Sequence, residues 1–214
     1  MQNISTIRQG FIKLKQMENA EMTTNTAENK AMIGKLYKSF ITGIKSCNAV
    51  APKEWMQKRK LSTEITGAGF NSGQIHHRKE QQFKDELESI GFITKSNSPT
   101  NKGQQAYKIF GNYSIIFPLK NENNEVVNFH AISVETGKTE YLNNDGIYPN
   151  YPSITTIKLF IAPTTLETAT VLESKTLKEN EAVISLFDNK FKQQHFDAIS
   201  KLKQLQEIIF ITKK

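Results

Sequence analysis

The sequence predicts an α+β chain that becomes α/β towards its end. A mixed, helix-led part with an antiparallel meander comes first, and a small, mostly parallel sheet follows. Three observations predict this. Ile33, Leu36, Tyr37, Phe40, Ile41 and Ile44 form one apolar stripe at helical spacing. The strand-like segments 113–119, 126–134 and 141–142 are separated by polar turns at 120–125 and 135–138, which is the pattern of a meander. From residue 158 the order is strand, helix, strand, helix, strand, and that alternation implies right-handed crossovers into a parallel sheet.

The elements follow in chain order. Residues 18–30 are polar and rich in Thr, Asn and Glu, and read as a linker or a loose helix end before the striped helix. Pro52 suits the first turn of a short helix running through Trp55 to Arg59. Phe83, Leu87 and Ile90 mark the buried face of another helix, with Gly91 as its left-handed terminus. The segment 146–153 carries prolines and reads as a crossing loop. Beyond it lie a strand at 159–162, a helix at 166–172 and a strand at 183–187. A helix striped by Phe196, Ile199, Leu202 and Leu205 then leads into a strand at 208–211. The chain divides as 1–50, linker and helix; 51–153, mixed subdomain; and 154–214, parallel unit. No internal repeat stands out.

Composition narrows the classes. A length of 214 residues buries a proper core in one moderate domain or two small ones, and 37% hydrophobic residues is polar but globular. The net charge of +7 mildly favours an anionic partner such as nucleic acid. One cysteine, Cys47, excludes an internal disulfide framework and a cysteine-rich zinc site, and its place on the striped helix reads as a packed core thiol. No apolar run reaches the roughly 20 residues that cross a bilayer, and residues 1–10 lack a signal-peptide core. The expectation is a cytoplasmic protein with no membrane partner.

Several segments carry a resemblance. Residues 55–61, WMQKRKL, resemble the YLxxRGL opening of the catalytic core of bacterial DnaG-type DNA primases. IIFPL at 115–119 followed by VVNF at 126–129 resembles that core's IxFPI and VxGF strands, and YLN at 141–143 resembles its KYLN segment. LFIAPTTLETA at 159–169 is similar to the first strand and helix of a Toprim domain, whose usual pattern is EGxxDA. The similarity runs in family order from about residue 50 to the end. NSGQIHH at 71–77 and GIYPNYP at 146–152 resemble primase-like proteins of bacterial mobile elements. The resemblance implies a primase-core-like mixed subdomain followed by a Toprim-like one.

It also implies a chemistry that this chain only partly equips. In the family a Glu after the first Toprim strand serves acid/base chemistry, and an Asp-x-Asp after a later strand holds magnesium, since hard cations want clustered carboxylates. The family Glu falls on Pro163, which has no ionisable group. The family Asp falls on Glu167, which also completes a T-x-x-E capping box with Thr164. After the strand at 208–211 the chain reads Thr212-Lys213-Lys214, where acids are expected. Template-contacting cations of the family fall on Ser114, Ile132 and Glu140. The family's N-terminal zinc ribbon has no counterpart in a chain with one cysteine.

Candidate nucleic-acid contacts therefore lie elsewhere. Lys53, Lys58, Arg59 and Lys60 with Trp55 among them could hold phosphate and stack a base, a pattern that also fits a solvated helix face around one buried Trp. His77, Arg78, Lys79 and Lys138 are further phosphate candidates, the first three also fitting a loop that leads into the Phe83 helix. His130 and His195 read as structural. No catalytic residue is intact, and no metal or cofactor is expected unless the enzyme alternative holds, when magnesium would be needed. The expected function is a catalytically inactive primase-core-like protein of DNA replication or mobile-element maintenance. It would bind nucleic acid, in particular single-stranded DNA, or a partner such as a replicative helicase. The alternatives are a primase catalytic fragment cut before its Asp-x-Asp and a protein-interaction scaffold.

Overall fold

The computed structural model describes residues 27–77, 79–99 and 105–212. The polar stretch up to residue 26, Arg78, Lys213 and Lys214 lie outside the described residues.

Helix α1, Ala27–Lys45, forms where the stripe predicts it and buries Met32, Ile33, Leu36, Phe40 and Ile44. Helix α2 is Val50–Lys58, with Pro52 in its first turn, where the missing N–H leaves no helical bond unmade. Ser62 caps the short helix α3, Thr63–Thr66, by accepting from the Ile65 N–H, and Gly67 ends it in the left-handed conformation. Strand β1 follows at Gly69–Asn71. Helix α4 is Gln81–Ser89, closed by Gly91 at a φ of 74°. Strands β2, Ile93–Lys95, and β3, Tyr107–Ile109, pair antiparallel on their own.

The central sheet has the order β1-β4-β5-β6, with β4 at Ser114–Lys120, β5 at Val126–Ser133 and β6 at Thr139–Tyr141. All its pairings are antiparallel, Phe117 opposing His130 and His130 opposing Tyr141. The β4-β5-β6 meander is the one the sequence predicts. The short strands β1, β2 and β3 escape a reading of period two, because three residues are too few to show alternation.

Both faces of the sheet are covered. Along β4, Ile115, Phe117 and Leu119 point into a cluster with Trp55, Phe70 and Tyr148, while Ile116 joins Phe40, Phe92 and Phe129 under α1. Two glycines set the α1–β1 distance. A Cβ on Gly69 would sit 2.6 Å from the Phe40 carbonyl carbon, and one on Gly43 would sit 2.6 Å from the Phe70 oxygen. Gly69→Ala is expected to destabilise the protein by about 1–3 kcal/mol through overpacking against backbone, read as a lower denaturant midpoint at unchanged m-value.

The C-terminal unit is a parallel sheet of order β8-β7-β9, with β7 at Lys158–Ala162, β8 at Glu181–Ser185 and β9 at Glu207–Phe210. Helix α5, Thr165–Ser174, links β7 to β8, and helix α6, Gln193–Ser200, links β8 to β9. Helix α6 stops before Leu202 and Leu205, which the apolar stripe assigns to it. The chain turns there because Gln206 N–H is already held by Ile157 O, which brings β9 beside β7. Leu202 and Leu205 still pack into the unit's core with Leu159, Ile161 and Ile184.

Cys47 corrects an expectation: it is exposed, in the turn after α1, and does not pack in the core. No helix among the described residues is long and apolar enough to cross a membrane.

Candidate functional site

In a parallel α/β unit the side chains that do chemistry gather at the C-terminal ends of the strands. Here that edge carries Pro163 after β7 and Asp188 after β8. Pro163 O accepts from the Asn189 N–H at 2.9 Å, tying the entrance of α5 to the turn after β8. Asp188 and Asn189 both have positive φ, 47° and 67°, which short polar side chains tolerate in a tight turn.

Thr164 is the N-cap of α5, and its hydroxyl oxygen accepts from the Leu166 N–H at 3.2 Å. The hydroxyl in turn donates to the Glu167 carboxylate. Thr164 and Glu167, the two ends of the T-x-x-E pattern, are thus bonded to each other at the start of α5. A carboxylate in the first turn also complements the positive end of the helix.

A stack of rings lines the junction between this edge and the central sheet. His130 lies parallel to Tyr141 at 4.2 Å, Tyr141 lies on Phe187 at 4.4 Å, and His195 meets Phe187 edge-on at 5.7 Å. His130 is fully buried, and its Nδ1 pairs with the Thr165 hydroxyl. Burial holds its pKa down to about 4, so the ring is neutral. Tyr141 is pushed above the usual tyrosine range by burial first and then by the Asp188 carboxylate, although its hydroxyl finds no partner in hydrogen-bond geometry. His195 donates to Ser185 O through Nε2, accepts the Lys192 N–H through Nδ1, and is held down by burial.

This junction is an uncharged aromatic floor with Glu167 and Asp188 at its side. Asp188 accepts weakly from the Thr139 hydroxyl at 3.4 Å. Among the described residues no three acidic, histidine or cysteine side chains gather. Pro163 offers no side-chain ligand where the resemblance implies an acid, which leaves Glu167 and Asp188 as the carboxylates beside this edge.

The basic candidates have different surroundings. Lys53 Nζ donates to Ser46 O at 2.7 Å and to Lys45 O at 3.4 Å, so it closes the C-terminal end of α1. Trp55 corrects its candidacy as a base-stacking platform: it is 7% exposed, in the core, and the Arg59 guanidinium lies 3.8 Å from its ring centroid. Arg59 also donates to Trp55 O at 3.1 Å. Lys58 and Lys60 are exposed, and their side chains make no hydrogen bond or ion pair among the described residues. His77 is exposed and packs edge-on against buried His76. Lys79 lies over the Phe83 ring at 5.6 Å, and Lys138 is exposed in the β5–β6 turn. The positions where the resemblance expects template cations are built into the fold. Ser114 and Ile132 are buried, and Glu140 accepts the Gly111 N–H at 2.6 Å. Sequence reasoning passed over Asp188, for which the Asp-Asn turn after a strand was the available signal.

No protein-family model matches the chain, and no curated protein matches it. Solved structures do, and they define its class: the chain has the fold of DnaG primase catalytic cores. The DnaG primase catalytic domain bound to single-stranded DNA superposes with a TM-score of 0.67 at 12% identity, over 86% of this chain and 60% of that one. The RNA polymerase domain of Mycobacterium tuberculosis primase DnaG with double-stranded DNA gives 0.64 at 11% identity, over 87% and 64%. The zinc-binding and RNA polymerase domains of Aquifex aeolicus primase give 0.66 at 11% identity, over 90% and 49%. The chain thus spans 49% to 64% of the length of these structures.

Proposed function

We propose that this chain is a primase-core-like protein that does not synthesise primers and binds single-stranded nucleic acid in a cytoplasmic replication or mobile-element setting. One observation carries the reading: Pro163 stands where the catalytic Glu is expected, and the acid four residues on is bound by the cap of α5. General acid/base help contributes about 10²–10⁴ in rate, so a proline there removes a large share of any polymerising activity. A net charge of +7 and the DNA-bound neighbours support the choice of ligand. Lys58 and Lys60 are its best-placed phosphate contacts, joined by His77, Arg78, Lys79 and Lys138.

Primer synthesis on a single-stranded template with Mg²⁺ or Mn²⁺ is expected to give no product. Metal-dependent oligonucleotides that disappear in Glu167→Ala would restore the enzyme reading. Binding to a labelled single strand is expected to weaken log-linearly with salt. Lys58→Glu combined with Lys60→Glu is expected to flatten that slope by about 1.4, since each lost phosphate contact on a single strand removes about 0.7. Binding that ignores salt, or is absent at low salt, would leave the scaffold reading. Arg59 is unsuitable for this test, because its loss also uncovers Trp55.

A further inference from the structure

Away from the aromatic junction, a cavity of about 250 Å³ opens at the far end of β4, lined by Lys120, Asn121, Glu122, Asn124, Asn150 and Tyr151. Its lysine is held rigidly. Lys120 pairs with Val126 of β5 on one side, and on the other it exchanges both backbone hydrogen bonds with Ile147, at 3.0 and 2.9 Å. The side chain is half-buried, and its ammonium makes no hydrogen bond or ion pair among the described residues.

The nearby carboxylates are already engaged. Glu122 binds Lys201 at 2.5 Å. Glu125 accepts from the Asn121 amide at 2.8 Å and faces Lys30 at 3.8 Å. Lys120 is therefore a partly desolvated cation without a counterion, and burial lowers its pKa. Tyr151, which also lines the cavity, differs in character. The Tyr151 hydroxyl is pushed up to about 12 by burial, then by Asp145, Glu122 and Asp197, so it stays protonated beside carboxylates.

We propose that this cavity binds a small molecule with one compact oxyanion, seated on Lys120, and hydrogen-bond donors at its other end, facing Tyr151 and Glu122. The size and charge pattern set the class. The volume lies just under the range of about 300–1,000 Å³ found for drug-sized ligands, so a hydroxylated phosphate monoester or hydroxy acid fits and an oligonucleotide does not. A polyanion would meet the Glu122 carboxylate, which also lines the cavity. The single unpaired cation selects one anionic head, and donors elsewhere on the ligand can bond Glu122. The inference is independent of primer chemistry and of the exposed lysines on α2.

The test is lysine acylation of the full chain at mildly alkaline pH, mapped by mass spectrometry. Lys120 is expected to react faster than the exposed lysines, because more of its amine is neutral. Millimolar glycerol phosphate or glycerate is expected to slow acylation several-fold at Lys120 alone. Protection by the phosphate only assigns a phosphate head, and protection by glycerate only assigns a carboxylate. Lys201→Ala, which frees Glu122 to pair with Lys120, is expected to cut the protection several-fold. Lack of protection by either probe, or equal slowing at every lysine, would overturn the proposal.

Discussion

Phe129→Ala is expected to lower the unfolding free energy by about 3–5 kcal/mol. Phe129 is fully buried on β5, edge-on to Phe40 of α1 at 5.2 Å, with Phe92 completing the group through Phe40 at 5.9 Å. Truncation removes the ring's transfer free energy, an aromatic contact and the filler between helix and sheet. The space left cannot close by moving α1 inward, because Gly43 and Gly69 already bring α1 and β1 to backbone contact. Since whole domains are stable by only about 5–15 kcal/mol, the variant should sit near its unfolding threshold. Urea denaturation checks this. A loss under about 1 kcal/mol would mean that the α1 interface is loosely packed.

Acidification gives the second large effect. Unfolded, His130 titrates near 6.5; folded, burial between β5 and the start of α5 holds it down to about 4. Between these values the unfolded chain binds more protons, so stability is fully present above pH 6.5 and is lost as the pH falls towards 4. The slope is at most about 1.4 kcal/mol per pH unit, and the total for this residue is on the order of 3 kcal/mol. Among the described residues no opposite charge offsets the burial of a charged ring: Tyr141 covers one face, and Glu167 is bound to Thr164. His195 is also held down by burial and adds to the loss in the same direction. Denaturation midpoints across this pH range should show the decline, and His130→Phe should flatten most of it. An unchanged slope in that variant would place the acid sensitivity elsewhere.

Much of the fold was legible because its large elements carry period. The α1 stripe, the β4-β5-β6 meander and the β-α-β-α-β order each bury one face, and burial writes itself into spacing. The short strands β1, β2 and β3 did not, and neither did the end of α6. There the route of the backbone decides, while Leu202 and Leu205 remain buried without being helical. At the candidate site, Pro163 and the T-x-x-E cap could be read from residue type. The roles of Lys53 and Trp55 could not. A lysine that caps a helix and a tryptophan roofed by arginine look, in one dimension, like a basic patch with an aromatic. Charge declares itself in sequence, whereas what neutralises or covers it depends on contacts distant along the chain. The same holds for Lys120, whose isolation follows from Glu122 turning to a lysine 79 residues away.

The two sheets are fastened to each other at several points. Glu173 on α5 accepts both the N–H and the hydroxyl of Ser62, the N-cap of α3. The Tyr148 hydroxyl donates to Thr66 O at 3.0 Å, and Ser185 N–H, at the end of β8, bonds Tyr148 O at 2.9 Å. Such cross-bracing couples the halves as one cooperative unit. Amide protons of β7 and β4 should therefore exchange with solvent at the same opening free energy, and loosening the Glu173 brace should lower protection in both at once.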